Sequence, residues 1–457
     1  MSSSILQTKP EHLDTAEKRG KYTISIVGCG QDGLLQACLL AEAGYKIICT
    51  DPDAAVTINI AKGKTTCLSS ETEAQLKTHI RKTNITTTND SKTAASQSDI
   101  VIIAVPARID GKKKIDYSEI ENLCKRIGPG LRRGSLVIVS TVTGLDITYG
   151  LVKELLENSS GCRVGIDLGL AYSPMFVAQD CRLDVLMNND RLVAAADRTS
   201  LEVASAIVAS TSKSLRKTDD LKQAEAAVLF EYAKLDTNAA LAKEFALFCE
   251  KAGIDYSEAS KLMNNIHDNT NTSALADDGT QLQTYLLLED AEDLNTKLRI
   301  PTVAREVNEG IVGHAINLVK DALHDCGKTF RRARVSLLGI SQAANMKARP
   351  KDAARRLLKS LEDRGAKVSL YDPYFAGADV FDMSSGCKKS LAEALEGADC
   401  IIILTGHDQF KRLNLKKLKL MMRKPAAIVD LERIVEPEKA EKEGFIYRGL
   451  GKGVLTK

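Results

Sequence analysis

The residues from 22 to 51 place the strongest constraint on the fold of this chain. A short apolar run, a glycine turn, a helical run and a second apolar run follow one another there directly. Residues 22–28 read YTISIVG, residues 34–45 read LLQACLLAEAGY, and residues 46–51 read KIICTD. Further β-rich runs at 99–105 and 135–140 alternate with helical stretches. This order of strands and helices predicts a parallel sheet with helices on both faces.

The rest of the chain divides into a helical segment and a second alternating region. Residues 221–250 contain no glycine or proline and are rich in Ala, Leu, Glu and Lys, which predicts one long helix. Strand–helix alternation resumes at Arg334. The predicted fold class is α/β, with two Rossmann-like parallel-sheet domains joined by a long central helix and a helical segment. The predicted domains are a polar N-terminal tail at 1–20, a first α/β domain at 21–214, a central helical domain at 215–328 and a second α/β domain at 329–457.

A GxGxxG sequence occupies the first turn, with glycines at Gly28, Gly30 and Gly33. The first glycine permits a tight turn, the second lets a pyrophosphate approach the backbone, and the third allows close packing of helix on strand. Asp51 ends the second strand, where a carboxylate binds ribose hydroxyls and repels a 2′-phosphate, so the pattern predicts NAD rather than NADP. The alternative is a purely structural glycine-rich turn. Asp32 would weaken binding if its carboxylate pointed at the pyrophosphate.

Further stretches, in order along the chain, carry a family resemblance. They are SIVGCGQDG with CTDPD, VIIAVP, VSTV, YSPMFVAQDCRLDVLMNNDRLV, EYAKLDTNAALAKEFALFCEKAGID, YLLLEDAEDLN with VAREVNEGI, and then LYDPYF, HDQFKRLNLKKLK and PAAIVDLERI. From about Lys21 to Gly453 the chain resembles the UDP-glucose and UDP-N-acetylmannosamine dehydrogenase family. The resemblance implies NAD as the cofactor, with Val105, Pro106 and Thr141 beside it, and a nucleotide-sugar site in the last domain. It also implies a dimer through the long helix, either of two copies or with a paralogue.

The resemblance also implies a chemistry. In that family a cysteine captures an aldehyde as a thiohemiacetal after a first hydride transfer, a second hydride transfer gives a thioester, and water releases the acid. A lysine and an asparagine on the long helix stabilise the oxyanion, and the resemblance assigns these roles to Lys234 and Asn238. Their i,i+4 spacing puts both on one helix face. Read without the resemblance, Lys234 is a solvated charge and Asn238 a packing residue.

The other chemical positions of the family are changed. No cysteine lies between Cys249 and Cys326, and the resemblance puts Gly279 at the position of the nucleophile. The glutamate that serves hydrolysis is replaced by Met175. In the last domain the resemblance puts alanine or proline where the family has a lysine, an aspartate and an arginine, at Ala343, Ala348 and Pro350. Cys181 is the best outside candidate for a replacement thiol.

Composition narrows the partners and the location. The 63 Lys and Arg nearly balance the 60 Asp and Glu, so no global charge favours nucleic acid or a membrane surface. No long apolar run or signal sequence is present and the cysteines lack metal or disulfide spacing, so we expect a soluble, cytoplasmic protein with reduced thiols and no metal. Three hypotheses remain. The first is an NAD-linked oxidoreductase that acts on a nucleotide sugar or a related small molecule such as a polyol and is limited to two-electron chemistry. The others are a catalytically silent NAD- or nucleotide-binding partner of an active paralogue, and a four-electron dehydrogenase with another nucleophile.

Overall fold

The computed structural model describes residues 4–65, 67–109, 113–175, 183–262, 280–347, 350–378, 380 and 386–452. The chain packs into two compact units. The first unit comprises Met1–Ala233 with Leu282–Lys297, and the second comprises Lys234–Gln281 with Leu298–Lys457. This division passes through the segment 215–328, and the domain boundaries expected from the sequence stay a prediction.

The first unit is built on an eight-stranded sheet. The strands of this sheet are β1 (Thr23–Val27), β2 (Lys46–Thr50), β3 (Ile85–Thr88), β4 (Ile100–Ile103), β7 (Leu136–Val139), β8 (Gly169–Tyr172), β9 (Asp190–Ala195) and β10 (Ser214–Thr218). Between β4 and β7 along the chain, β5 (Arg108–Ile109) and β6 (Ile115–Asp116) form a separate two-stranded ribbon. The order in the large sheet is β10-β9-β8-β7-β4-β1-β2-β3. All neighbouring pairs in it run parallel except β8 and β9, which are antiparallel.

Helices connect these strands. They are α1 (Ala16–Arg19), α2 (Gln31–Glu42), α3 (Ala54–Ala61), α4 (Ser70–Arg81), α5 (Ser91–Ser96), α6 (Ser118–Ile127), α7 (Lys153–Ser160), α8 (Leu183–Met187) and α9 (Arg198–Ala209), with 3-10 turns at Ile5–Gln7, Pro10–Leu13 and Gly128–Gly130 and a π-helical turn at Ile147–Val152. Side-chain caps explain several helix starts: Asp53 accepts from the Ala55 amide and Asp197 from the Ser200 amide. Apolar residues of β1, β2, β4 and α2 share one core.

The chain continues through the long helix α10 (Leu221–Ala252), α11 (Tyr256–Leu262), α12 (Thr280–Asp293) and α13 (Arg299–Asp325). Within the second unit, α10 and α13 are joined by a buried polar network. Arg305 Nη1 lies 2.7 Å from Asp236 Oδ1, and Asn308 Nδ2 donates to the same oxygen at 2.8 Å. Lys243 Nζ donates to Asn308 Oδ1 at 2.7 Å. Because breaking a buried ion pair leaves an uncompensated charge, this network fixes the pairing of the two helices.

The second unit contains a five-stranded, entirely parallel sheet in the order β12-β11-β13-β14-β15. Its elements are β11 (Arg334–Leu338), α14 (Asp352–Asp363), β12 (Lys367–Tyr371), α15 (Leu391–Leu395), β13 (Cys400–Ile403), α16 (Asp408–Lys411), α17 (Leu415–Met421), β14 (Ala426–Asp430), α18 (Pro437–Lys442) and β15 (Phe445–Gly449). Along β13, Cys400 and Ile402 enter one hydrophobic cluster, whereas Ile401 and Ile403 enter another. Both faces of this sheet are therefore covered, as its continuous apolar strands predict.

The two parallel-sheet regions and the long helix confirm the predicted fold class. Among the residues described, none of the helices has the length and apolarity needed to cross a membrane.

Candidate functional site

The strand register of the first unit brings the carboxyl ends of its central strands together. Val27 pairs with Thr50 of β2 and with Ile103 of β4, and Ile103 in turn pairs with Val139 of β7. The strand order reverses between β1 and β4, since the chain builds outward first through β2 and β3 and then through β7. Ligands of open α/β sheets bind outside the carboxyl ends of the strands at such a switch point.

The glycine turn after β1 has geometry that other residues would disrupt. Gly28 has a φ of +99°, and a Cβ there would lie 2.7 Å from the Val105 side chain. A Cβ on Gly33 would lie 1.9 Å from the Gly28 carbonyl oxygen, so helix α2 packs against the turn only because this position lacks a side chain. Around Gly30, by contrast, no atom lies within 4 Å of an added Cβ. That open position at the start of α2 leaves room for a phosphate group.

Asp51 is held against this turn. Its Oδ2 accepts a hydrogen bond from the Cys29 amide at 2.8 Å, and its Oδ1 accepts from the Asp53 amide at 3.0 Å. The carboxylate is half-buried. Because two oxygens offer about four acceptor positions, two remain for the hydroxyls of a ribose.

Asp32 lies in the first turn of α2, with its side chain open to solvent. The protein around its carboxyl nevertheless raises its pKa to about 6 by desolvation. The amide groups at the helix start favour the carboxylate and oppose that rise. Asp32 is therefore a negative charge near neutral pH at the end of the helix where an anionic pyrophosphate would bind.

The remaining predicted cofactor residues follow the next two strands. Val105 and Pro106 come after β4, with Val105 buried and Pro106 exposed, and Thr141 is buried after β7. The Ala104 amide donates to the Val27 carbonyl at 2.8 Å, which continues the sheet as far as the glycine turn.

The loop beyond Thr141 is tied to carboxylates of the same unit. Buried Glu225 accepts from the amides of Asp146 at 2.6 Å and Thr148 at 2.8 Å, and burial raises its pKa against these hydrogen bonds. Asp290 accepts from the Leu145 amide at 2.9 Å. Since these amides already have protein acceptors, the loop is held in shape by the protein and does not offer them to a phosphate.

The second unit has a comparable switch point between β11 and β13. Asp372, fully buried after β12, accepts at its Oδ2 from the amides of Ile340 and Ser341 at 2.8 and 2.9 Å, and from His407 Nε2 at 3.1 Å. Burial alone would raise the pKa of Asp372, but the His407 hydrogen bond and the amides outweigh it and lower the pKa. His407 Nδ1 accepts from the Asn345 amide at 2.9 Å. Both ring nitrogens therefore have protein partners, and the pair ties together the loops that follow β11, β12 and β13.

The loop that contains Ala343 and Pro350, two positions that the family resemblance marks as changed, is held in place by apolar packing and by a buried lysine. Ala343 is buried against Met346, and Pro350 forms a bridge to Ser341. The adjoining Lys351 is buried, and its Nζ donates to the Leu404 carbonyl at 2.6 Å and lies 3.4 Å from Glu432. This ion pair lies next to Pro350, one of the positions at which the family resemblance implies a loss of charge.

The structure describes three of the positions to which the family resemblance assigns chemical roles, namely Lys234, Asn238 and Met175. Lys234 and Asn238 both lie on α10, with Lys234 exposed and Asn238 half-buried. Met175 is buried in the core of the first unit. Gly279, at the position of the nucleophile, and Ala348, at the position of an aspartate in the last domain, lie outside the described residues, as does Cys181.

Sequence reasoning missed several buried polar groups. Glu225 and the Asp372–His407 pair act on backbone groups that are distant in sequence, so no local spacing marks them. Arg191, near the end of the stretch YSPMFVAQDCRLDVLMNNDRLV, is buried in β9. Its signal was available, because an arginine inside an apolar strand needs a buried acceptor.

The first unit thus has the sheet order, glycine turn and carboxylate of a dinucleotide-binding protein. Residues 22–211 match the NAD binding domain of the UDP-glucose/GDP-mannose dehydrogenase family, and residues 337–437 match the UDP binding domain of the same family. The chain belongs to the UDP-glucose/GDP-mannose dehydrogenase family, as the sequence resemblance implied, and its cofactor is NAD.

Relatives match over nearly their whole length. The UDP-N-acetyl-D-mannosamine dehydrogenase of Methanococcus maripaludis is 26% identical over 450 residues, covering 96% of this chain and 99% of the relative. A solved structure of UDP-D-ManNAc dehydrogenase from Pyrococcus horikoshii has a TM-score of 0.84 and 27% identity, covering 94% and 99% of the two chains. A UDP-glucose dehydrogenase from Pyrobaculum islandicum, with a TM-score of 0.81 and 19% identity over 95% and 98%, shares the fold.

Proposed function

We propose that this chain binds NAD and a nucleotide sugar, and that it does not carry out the four-electron oxidation of the sugar to an acid. The observation that carries the proposal is a contrast within one molecule. The glycine turn and Asp51 have the geometry for a dinucleotide, whereas the sequence has no cysteine between Cys249 and Cys326.

The four-electron reaction needs two oxidations that differ in their requirements. The first converts a CH₂OH group and NAD⁺ into an aldehyde, NADH and a proton. The second consumes the aldehyde, water and another NAD⁺, and it is made easier by a thiolate that holds the carbonyl covalently. Gly279, at the position that the family resemblance assigns to this thiolate, has no side chain that could form the adduct.

The hydrolysis step, in which water releases the acid, also lacks the residue that serves it in the family. Met175 is buried in an apolar cluster, and a thioether neither accepts nor donates a proton in this pH range. Losses among groups that act as a unit are not restored one at a time. Replacement of Gly279 by cysteine alone is therefore expected to leave the second oxidation absent.

The reaction that remains possible is the first one, a two-electron interconversion of an alcohol and an aldehyde. Lys234 and Asn238, on one face of α10, are the proposed groups for binding the substrate oxygen. A second function, a catalytically silent NAD- and nucleotide-binding partner of an active paralogue, is favoured by the simultaneous changes at Met175, Gly279, Ala348 and Pro350. Exposed apolar side chains on α10 supply a surface for such a partner.

One assay distinguishes these functions. The full-length protein is incubated with NAD and either UDP-glucose or UDP-N-acetylmannosamine, while NADH is followed by absorbance and products by mass spectrometry. The Pyrococcus horikoshii relative is assayed in parallel under the same conditions for comparison. One NADH per sugar with an aldehyde product supports the two-electron function. Thermal stabilisation by NAD and a UDP sugar without NADH supports the silent partner. Steady formation of acid with two NADH per sugar, at about 1 per second or faster, refutes the proposal.

A further inference from the structure

A buried guanidinium in the first unit has no acidic partner. Arg191 in β9 is 7% exposed, and its Nη2 donates to the carbonyl and the hydroxyl oxygen of Ser173 at 3.1 and 3.3 Å. No Asp or Glu of the described chain forms an ion pair with it, and its Nε has no hydrogen-bond partner there. Both Ser173 acceptors are neutral, so the charge is not compensated by these contacts.

The charge persists at neutral pH. Burial lowers the pKa of Arg191 to about 10, which is still far above pH 7. An uncompensated charge in a protein interior is costly, and such groups are normally paired. Either the strand tolerates that cost, or a counter-ion from solution offsets it.

A cavity beside Arg191 offers the space. Its volume is about 20 Å³, and its lining combines Arg191, Gln36, Ser173 and Thr211 with six aliphatic side chains. Gln36 is also buried, and its Nε2 has no hydrogen-bond partner among the described residues. Thr211 already donates its hydroxyl to the Val208 carbonyl. Two lining side chains therefore each have an unused N–H donor, and one of the two is cationic.

The remaining contacts keep Gln36 in this orientation. Its Oε1 lies 2.9 Å from the Ser140 hydroxyl, which also lies 3.0 Å from the Ser173 carbonyl oxygen. Ser140 and Ser173 thus connect Gln36 on α2 to Arg191 on β9. The acceptor side of the amide is occupied, and its donor side is left for another group.

We propose that this cavity is a binding site for one small monovalent anion of the size of chloride, held by Arg191 and Gln36. A cavity of this volume holds about one water-sized particle, because a single water needs roughly 10–15 Å³. A monatomic halide fits that space, whereas a phosphate or an organic carboxylate is too large. The aliphatic lining favours a weakly hydrated anion over one that must keep its water shell. Such an ion would link α2, whose first turn forms the dinucleotide site, to the far part of the sheet.

The test measures thermal unfolding of the full-length protein while sodium chloride replaces sodium gluconate at constant ionic strength. Gluconate is too bulky for the cavity. Chloride at about ten times its dissociation constant is expected to raise the melting temperature by roughly 1.5–3 °C, with the lower value for unfolding of the whole chain and the higher value for unfolding of the first unit alone. Arg191→Met should abolish this difference, and Gln36→Leu should reduce it. The matched control is Arg198→Met, since Arg198 is an exposed arginine paired with Glu202 in the next helix, and this variant should respond to chloride as the wild type does.

A second measurement does not depend on the variants folding. Crystals of the wild-type protein soaked in bromide should give an anomalous peak in this cavity, next to Arg191. The proposal is overturned if chloride and gluconate give equal melting temperatures, if Arg191→Met keeps the chloride response, or if the cavity of bromide-soaked crystals holds only water.

Discussion

Replacing Asp51 tests how the first unit chooses its cofactor. Asp51 stands next to the glycine turn, fixed by the 2.8 Å hydrogen bond from the Cys29 amide. A 2′-phosphate in the place of a ribose hydroxyl would come within about 5 Å of this carboxylate. At an effective dielectric constant of about 20, two unit charges at that distance repel by about 3 kcal/mol, and partial exposure of Asp51 reduces this value. We therefore expect NAD to bind about 100-fold more tightly than NADP, which corresponds to about 2.7 kcal/mol.

The variant Asp51→Ala removes both the repulsion and the ribose hydrogen bonds. A hydrogen bond to a charged group contributes about 1.5–3 kcal/mol, so NAD affinity should fall by at least about tenfold. NADP affinity should rise or stay level, and the preference should shrink to less than about tenfold. Asp51→Asn keeps an acceptor without the charge, and it should lose the discrimination while retaining more of the NAD affinity.

Isothermal titration calorimetry with both cofactors measures these changes. Asp53→Ala is the control, because the Asp53 carboxylate caps α3 through the Ala55 amide, and the Asp53 backbone amide that donates to Asp51 is kept in this variant. Equal affinities of the wild type for NAD and NADP would refute the reasoning. The same conclusion would follow if Asp53→Ala changed the preference as much as Asp51→Ala does.

Three further predictions concern the same unit and the long helix. Gly33→Ala should destabilise the protein by about 1–3 kcal/mol in denaturant unfolding, because its Cβ would lie 1.9 Å from the Gly28 carbonyl oxygen. Gly30→Ala should fold normally and lose NAD affinity. Equal stabilities of the two variants would contradict this reasoning. The pKa of Asp32 is raised to about 6, so its carboxyl is neutral below that pH and charged above it. NAD affinity should therefore fall as the pH rises through about 6 in the wild type but not in Asp32→Asn. Parallel pH profiles of NAD affinity in the two proteins would exclude a role for Asp32. If α10 forms a dimer interface, Phe248→Glu, at a position that is 68% exposed, should give a monomer by light scattering, whereas Leu420→Glu, 82% exposed elsewhere, should not; a monomeric wild type would reject the interface.

Local sequence patterns were sufficient to predict those helices and strands whose own residues carry a clear signal. The run without glycine or proline at 221–250 became α10 (Leu221–Ala252), and the apolar run at 99–105 became β4. Strands such as β10, which reads SLRKT and is mostly exposed, have no apolar alternation and were not predicted. Such strands are set by pairing with a neighbour, here β9, and that information is not local.

The sequence by itself determined the glycine turn and its carboxylate, because a tight turn, a positive φ and an acidic residue at the end of the next strand are all encoded within one βαβ unit. Only the tertiary structure decided which buried charges find partners. Glu225 meets the amides of Asp146 and Thr148, which are nearly eighty residues away in the chain, while Arg191 meets only the neutral oxygens of Ser173 among the described residues. The physical reason is that the environment of a buried charge depends on strand order and helix placement, which bring distant segments together, and the residue's sequence neighbours do not specify it.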